Sequence, residues 1–457
     1  MKSDTYRNYL LTVLLVIQTF NYLDGTVLGL VLQNIKTDLH LSDTQLGFLG
    51  GLSFAVFYSV MGIPIARWAD RGNRVTIISL AAAVWSIMVP LCGLAASFAQ
   101  LVLIRVGVAV GEAGCNPPAH SLIADNFSRA ERPRAVAIYL LGGGFSTLIG
   151  YFLGGWLNQL YGWRTTFIAL GLPGLIPAAF AALTLKEPRR ERPPFERIPS
   201  ERNPSKRPGK SAAAAEPQPD FRQACAMLWS NITFRHLMFS YSVMCLFAYG
   251  ILQWQPAFFI RSYGLNTGEL GTWFALIYGV GGILGTYWGG VLASRYTANN
   301  ERLQLKVMAI IYSSFGIISA LIYLLHDRYW VFGLMALASL GGAAANGPLF
   351  ATIQTVVPSR LRAVSISMIY LLANLIGMGL GPLAAGALSD ALRPFLGEES
   401  LRYALLALCP GYLWGAWHLW LGSKTVTRDI QATQEECGES PDDSSMPDTT
   451  SANISVA

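Results

Sequence analysis

Three ionisable residues stand where an apolar chain has least use for them. Asp24 sits in Asn21-Tyr22-Leu23-Asp24-Gly25, inside an apolar run near residues 9–31, and Arg105 and Glu112 share another near 100–123. A charge at the centre of a membrane-spanning helix costs about 2.5–3.5 kcal/mol on insertion scales, so such residues turn toward an interior cavity and do work there. Arg105 and Glu112 are two helical turns apart, on one face but roughly 10 Å apart along the axis at about 1.5 Å per residue. They can line one pathway without neutralising each other, and each remains available to Asp24, to a substrate or to a proton. A buried carboxylate is pushed toward its neutral form by desolvation and toward its charged form by a nearby arginine, and a group balanced between the two exchanges a proton near neutral pH. The residue types therefore point to proton coupling by Asp24 and Glu112, with Arg105 as partner of an acid or of an anionic substrate group.

The elements that must position them are membrane helices. Of 457 residues 53% are hydrophobic and 13% charged, about half the roughly 25% charge of a soluble chain. Twelve apolar runs, near 9–31, 46–67, 75–97, 100–123, 135–158, 164–185, 234–259, 269–293, 304–325, 329–352, 363–389 and 402–422, each approach the about 20 residues a helix needs to cross a bilayer. They are too continuous for barrel strands. Lys and Arg concentrate on the even-numbered connections and the termini, which the positive-inside rule places in the cytoplasm. The net charge of +6 and pI near 9.0 then belong to a lipid-facing surface, not to a nucleic-acid partner. The N-terminal apolar run has full spanning length and no small-residue cleavage site, so it reads as the first span.

Residues 186–232 are rich in Pro, Arg, Glu and Ser and those after 424 in Ser and Asp, compositions that bury too little apolar surface to fold alone. The expected layout is a six-helix bundle over 1–185, a cytoplasmic linker over 186–232, a second bundle over 233–423 and a disordered cytoplasmic tail over 424–457. The two bundles are repeats. Leu41-Ser42-Asp43-Thr44-Gln45-Leu46-Gly47 matches Leu265-Asn266-Thr267-Gly268-Glu269-Leu270-Gly271, and at the same offset Ala69-Asp70-Arg71 meets Ala293-Ser294-Arg295. Asn116-Pro117-Pro118 answers Asn346-Gly347-Pro348, and Ile138-Tyr139-Leu140-Leu141 answers Ile369-Tyr370-Leu371-Leu372. Parallel repeats of this size describe a transporter that rocks about a central site. The second copy carries no counterpart of the intramembrane charges: Asp24 maps near Ala248, Arg105 near Met335 and Glu112 onto Gly342. An acid needed only for packing would recur, so the asymmetry favours a functional role.

Ala66-Arg67-Trp68-Ala69-Asp70-Arg71-Gly72-Asn73-Arg74 reads as a gate: Asp70 can sit against the positive N-terminus of the eleventh helix near Arg362, with Arg71 and Arg74 pairing across the loop. Helix 7 carries Tyr249, Gln253, Trp254 and Pro256; the proline is expected to break it near the outer face. With Asn21, Tyr22, Asn346 and Asn374, the residues Tyr249, Gln253 and Trp254 are candidates for a mixed aromatic and amide cavity wall. Glycines at spacing four, such as Gly107 and Gly111 or Gly281, Gly285 and Gly289, read as close helix packing. His120 and His236 each stand alone in the sequence. No catalytic triad, phosphate loop or Cys/His metal cluster is present, so no enzyme activity, cofactor or metal is expected.

The segments around Asn21-Tyr22-Leu23-Asp24, Gly62 to Arg74 and Arg105 to Ala113 resemble the spinster-like branch of the major facilitator superfamily, particularly its proteobacterial members. The signature over residues 66–74 is similar to that superfamily's G-x-L-a-D-R-x-G-R, and Gly377-x3-Gly381-Pro382-x2-Ala385-Gly386 to its antiporter pattern. The resemblance implies an all-α fold of twelve transmembrane helices in two pseudo-symmetric six-helix bundles, a monomer in the bacterial inner membrane. Asp24 and Glu112 match the family's membrane acids and Arg105 its helix 4 arginine, while Gly25 stands where the family carries an arginine. The implied activity is proton-coupled transport by alternating access of an amphipathic, anionic small molecule or lysolipid, with protons and membrane lipids as partners. The alternatives are an importer of small organic anions, with Arg105 as carboxylate clamp, and a transport-inactive sensor of the same fold.

Overall fold

A computed structural model describes residues 4–128, 131–188, 221–296, 300–358 and 361–436, and these are helical with short connections. Ten stretches are long and apolar enough to cross a membrane, and two of them, Arg134–Thr184 and Val364–Thr433, hold two passes each. The first doubles back at Gly162, whose φ of 79° opens the left-handed region that only glycine enters without strain. The second turns at Gly397 with φ 59°. Divided at these turns, the described residues form twelve spans. In order they are Asp4–Leu39; Asp43–Gly50 with Leu52–Arg71; Arg74–Cys92; Phe98–Ala113 with Asn116–Asn126; the two arms of Arg132–Gly171, the second continuing through Leu175–Thr184; Ile232–Tyr263; Thr267–Phe274 with Gly281–Tyr296; Glu301–Leu324; Arg328–Val356; Arg362–Leu372 with Gly381–Leu396; and Ser400–Leu408 with Gly411–Glu436. They are called spans 1 to 12.

Two departures from the sequence expectation have physical causes. Pro256 does not break span 7, which runs unbroken from Ile232 to Tyr263. Proline costs a helix about 3 kcal/mol, but Ala257, Phe258 and Phe259 around it are fully buried, and the two rings pack on Tyr323 and Phe332 at centroid distances of 4.9 and 5.0 Å, contacts that hold the helix in line. Irregularity falls instead on π-helical segments, Ala275–Val280 in span 8 and Ala373–Leu380 in span 11. The helical core also reaches past both expected borders: Phe221–Ser230 is helical within the linker, and span 12 continues to Glu436, held by Asp429 accepting from the Thr233 backbone N–H at 2.9 Å. The remaining linker and tail lie outside the described residues.

An even number of spans brings Asp4 and Glu436, the ends of the first and last spans, to one face, called here the termini-bearing face, and the two halves meet on the other. There span 2 lies against span 11 so closely that a Cβ on Gly47 would stand 2.3 Å from the Pro382 carbonyl oxygen, and one on Gly386 2.2 Å from that of Asp43. Span 5 meets span 8 the same way, with Gly271 facing the Tyr151 carbonyl oxygen at 2.2 Å. Side chains close each seam in matching fashion. Asp390 of span 11 accepts from the backbone N–H groups of Asp43 and Thr44 at 3.0 and 2.7 Å, capping the start of span 2. Gln159 of span 5 accepts from the Gly268 N–H at 2.9 Å, capping the start of span 8. The repeat seen in the sequence, Asp43-Thr44 against Thr267-Gly268, is thus used as a pseudo-symmetric pair of caps.

The backbone seam yields a prediction. Gly386→Val overpacks span 11 against Asp43, and overpacking costs about 1–3 kcal/mol. The variant should melt several degrees lower in detergent, and spin labels on spans 2 and 11 at this face should move apart; an unchanged separation refutes the seam.

Candidate functional site

Span 1 and span 4 pack so that the three intramembrane charges meet. Arg105 donates Nη1 to Oδ2 of Asp24 in an ion pair, the Glu112 carboxyl sits beside Asp24, and each of the three residues is 3% exposed. The Arg105 guanidinium stacks over the Phe54 ring of span 2 at 5.0 Å to the centroid. Polar capacity is left over: Arg105 Nε, Glu112 Oε1 and both amide atoms of Asn21 are buried with no hydrogen-bond partner. Two carboxylates therefore share one guanidinium. With both ionised the cluster carries an uncompensated negative charge, which a buried site tolerates poorly, and a single proton removes it.

The cluster lies one layer behind the cleft between the halves, not on its wall as the sequence reading expected. Tyr22 of span 1 is 43% exposed and lies near Tyr249 of span 7 and Tyr370 of span 11, themselves 39% and 46% exposed; together they form an aromatic wall drawn from both halves. Behind Tyr22 and Tyr58 stands Glu112. A hydrogen-bonded chain runs along this layer: the Tyr139 hydroxyl donates to Gln18 Oε1 at 2.5 Å, with Asn116 Oδ1 at 2.8 Å, and Asn116 Nδ2 reaches the Tyr58 and Tyr22 hydroxyls at 3.3 and 3.5 Å. Gly25 is exposed beside Asp24, with nothing within 4 Å of where its Cβ would stand. The space that an arginine would fill is open.

Of the other candidates, Tyr22 and Tyr249 line the cleft and Asn374 is half-buried on the π segment of span 11. Asn21 is 1% exposed and buried within its own half. Trp254 is fully buried and donates Nε1 to the Pro382 carbonyl at 2.9 Å, so it packs the seam and does not line a cavity. Gln253 packs against Gly29 and Gly50 at the same seam. The Asn346 side chain lies outside the described residues. His236 is not alone: its Nδ1 lies 3.1 Å from that of His418.

The gate residues divide. Arg74 is fully buried and belongs to the amino-terminal half alone, binding Glu187 at 2.5 Å, Asp125 at 2.7 Å and the Ser121 hydroxyl at 2.7 Å. It ties spans 3, 4 and 6 together and does not reach across the loop. Asp70 and Arg71 are exposed. The inter-half charge contact that sequence reasoning missed is on the opposite face. Asp43 accepts from Arg261 Nη1 and Nη2 at 2.8 and 2.7 Å, from Lys36 at 2.5 Å and from the Ser389 hydroxyl at 2.6 Å, while Arg261 Nε holds Gln33 at 2.7 Å. One carboxylate thus joins spans 1, 2, 7 and 11.

With the fold and these contacts in view, comparison with known proteins is decisive: the model of the Major Facilitator Superfamily matches residues 14–382. The chain belongs to the Major Facilitator Superfamily. Within this superfamily it is similar to an MFS-type efflux pump of Mycolicibacterium smegmatis, 31% identical over 92% of this chain and 93% of that one. It also resembles the crystal structure of a bacterial homolog of the human lysosomal transporter Spinster, inward-facing and unoccupied, at 30% identity with a TM-score of 0.79 over 93% of this chain and 99% of that one. A protein of Escherichia coli named "Probable L-galactonate transporter" is 25% identical over 58% of this chain and 57% of its own length. These likenesses place the chain in the spinster-like branch of the superfamily, whose members are transporters and not enzymes.

Removing one member of the buried pair tests its energetics. Arg105→Gln leaves Asp24 buried without a counter-charge, a loss of about 3–5 kcal/mol for a buried pair, and should lower the melting temperature sharply. Asp24→Asn in the same chain should restore most of it; additive losses in the double variant would show that the two side chains do not interact.

Proposed function

We propose that this superfamily member is a proton-coupled secondary transporter that moves an amphipathic organic molecule across the inner membrane by alternating access. The observation that carries the reading is the cluster of Asp24, Glu112 and Arg105, in which two acids share one base directly behind the cleft wall. Arg105 is engaged by Asp24, so it is a charge partner first; it becomes available to an anionic substrate group when a proton occupies Asp24. Proton and substrate then communicate through one guanidinium. The aromatic wall of Tyr22, Tyr249 and Tyr370 suits the apolar part of such a substrate, and the polar groups of Asn116 and Tyr58 its head.

The concentration of Lys and Arg on the termini-bearing face supports cytoplasmic termini. The closed seam then faces outward and the cleft inward. Asp43 and Arg261 serve in this reading as the outer latch, and Asp70 and Arg71, exposed at the inner end of span 2, belong to the inner gate. The efflux relative supports export. A second reading, import of a small organic acid, is favoured by the similarity to the Escherichia coli protein, but the exposed aromatic wall of Tyr22, Tyr249 and Tyr370 suits an amphipathic substrate better than a small hydrophilic acid.

Proteoliposomes with an imposed pH gradient test the proposal, using a fluorescent lysophospholipid and a soluble sugar acid as competing probes. Accumulation of the amphipathic probe should rise about tenfold per pH unit of gradient for one coupled proton, since one pH unit is about 1.36 kcal/mol of proton free energy. Glu112→Gln should transport without sensing the gradient. Wild-type flux indifferent to pH, or a gradient response unchanged in Glu112→Gln, discards the coupling. Arg261→Gln should separately shift the population toward an outward-open state, read as longer spin-label distances between spans 1 and 7 at the outer face.

A further inference from the structure

Outside the cleft, a groove of about 820 Å³ runs between span 3 and span 6, opening at the termini-bearing face. Small residues make it: Ala178, Ala179 and Ala182 of span 6 leave a slot that Leu80 and Ala83 of span 3 do not fill. Its size lies within the roughly 300–1,000 Å³ of ligand pockets. Along span 3 it extends from Asn73 to Ala83, about 15 Å at 1.5 Å per residue, which is half of a hydrocarbon core about 30 Å thick. The groove therefore spans one leaflet, from headgroup level to the midplane.

Its polar groups follow the same gradient. Lys186 at the mouth is exposed and makes no ion pair among the described residues. The adjacent Glu187 is already bound by Arg74 through both oxygens, so it does not cancel that charge. Asn73 spends its carbonyl oxygen on the Thr76 N–H at 3.1 Å, which leaves its amide NH₂ as a donor. One turn deeper, Ser79 is 7% exposed and its hydroxyl has no hydrogen-bond partner. Ser53 and Thr352 by contrast donate to the carbonyl four residues earlier, to Leu49 at 2.9 Å and to Pro348 at 3.1 Å. Ser86, Ser146 and Ser242 are unpaired like Ser79, but of these four only Ser79 lines the groove.

We propose that the groove is a binding site for an anionic phospholipid of the leaflet on this face, with phosphate at Lys186 and Asn73, ester oxygens at Thr76 and Ser79, and an acyl chain along Ala83, Ala179 and Ala182. An apolar slot with a cation at headgroup level and an unpaired hydroxyl below it matches the order of groups in such a lipid. The chain's own linker from Arg189 onward is rich in Pro, Arg and Glu, with apolar residues confined to Phe195, Ile198 and the run Ala212 to Ala215 before Asp220, a composition less suited to a slot one leaflet deep than an acyl chain is. The site is separate from the transport cleft, and through Glu187 and Arg74 it abuts the bracket that holds spans 3, 4 and 6.

Native mass spectrometry of the full-length protein, titrated with phosphatidylglycerol and phosphatidylcholine of equal chain length, tests it. One lipid should remain bound, with phosphatidylglycerol preferred about fivefold, the effect of one basic residue at the membrane surface. Ala179→Trp, at an exposed position that leaves the bundle intact, should abolish this adduct. Lys186→Gln, which touches no packing, should keep the adduct and lose the headgroup preference. Unchanged binding and preference in both variants overturns the proposal. So does an adduct lost in Tyr249→Ala but retained in Ala179→Trp, which would place the lipid in the cleft, or a dimer that Ala179→Trp converts to monomer, which would make a second copy the occupant.

Discussion

The structure depends on two seams where backbone meets backbone. On the face away from the termini, spans 2 and 11 and spans 5 and 8 approach until only hydrogen fits between main chains at Gly47, Gly386, Gly155 and Gly271. Apolar side chains gain little from meeting each other in lipid, so association there rests on close packing and on hydrogen bonds between helices. Both are concentrated at these seams, in the paired caps from Asp390 and Gln159 and in the Thr267 hydroxyl bound between Gly155 and Asn158. A contact that tight has two states, packed or parted, and does not deform smoothly. The cleft on the other side is open because the halves are pinned on this one.

The charges sit where such a hinge can use them. Asp43 gathers Arg261, Lys36 and Ser389 at the pinned face, whereas Asp24, Arg105 and Glu112 lie behind the mid-depth wall in the amino half. Arg74 braces the base of the same half. Among the described residues the buried charges of the amino half are thus matched except at one point: the leftover carboxylate of the buried cluster. On the proposed mechanism that single surplus charge is what a proton or a substrate alters, and the carboxy half, carrying aromatic and amide groups but none of these acids, responds through packing.

Much of this was legible in the sequence, for a specific reason. A charged residue in an apolar run has so few acceptable surroundings that its type alone marks Asp24, Arg105 and Glu112, and helical spacing puts two of them on one face. The repeat likewise foretold two like halves. What stayed hidden was direction and distance. Asn21 and Trp254 share helices with true cleft residues, but one points into its own bundle and the other into the seam, a matter of rotation that no single sequence displays. Gln18, Tyr58, Asn116 and Tyr139 are uncharged, and a polar residue in a membrane helix is too ordinary to stand out; the matched pairs Asn116 with Asn346 and Tyr139 with Tyr370 were the trace they left in the repeat. Asp43 lies at a helix start, where an acid is expected on local grounds, and its partner Arg261 is far along the chain.

The position of Gly25 bears on how far the family's charge arrangement extends to this chain. An arginine there would add a second cation beside Asp24, giving two acids and two bases. Glycine leaves two acids and one base and opens the space next to them. A balanced cluster has no electrostatic reason to take up a proton, whereas one with a surplus carboxylate does, and an open approach beside Asp24 gives the proton a path from the cleft without displacing a side chain. Loss of the arginine therefore argues for a cluster more responsive to protons, not for one that has lost its function.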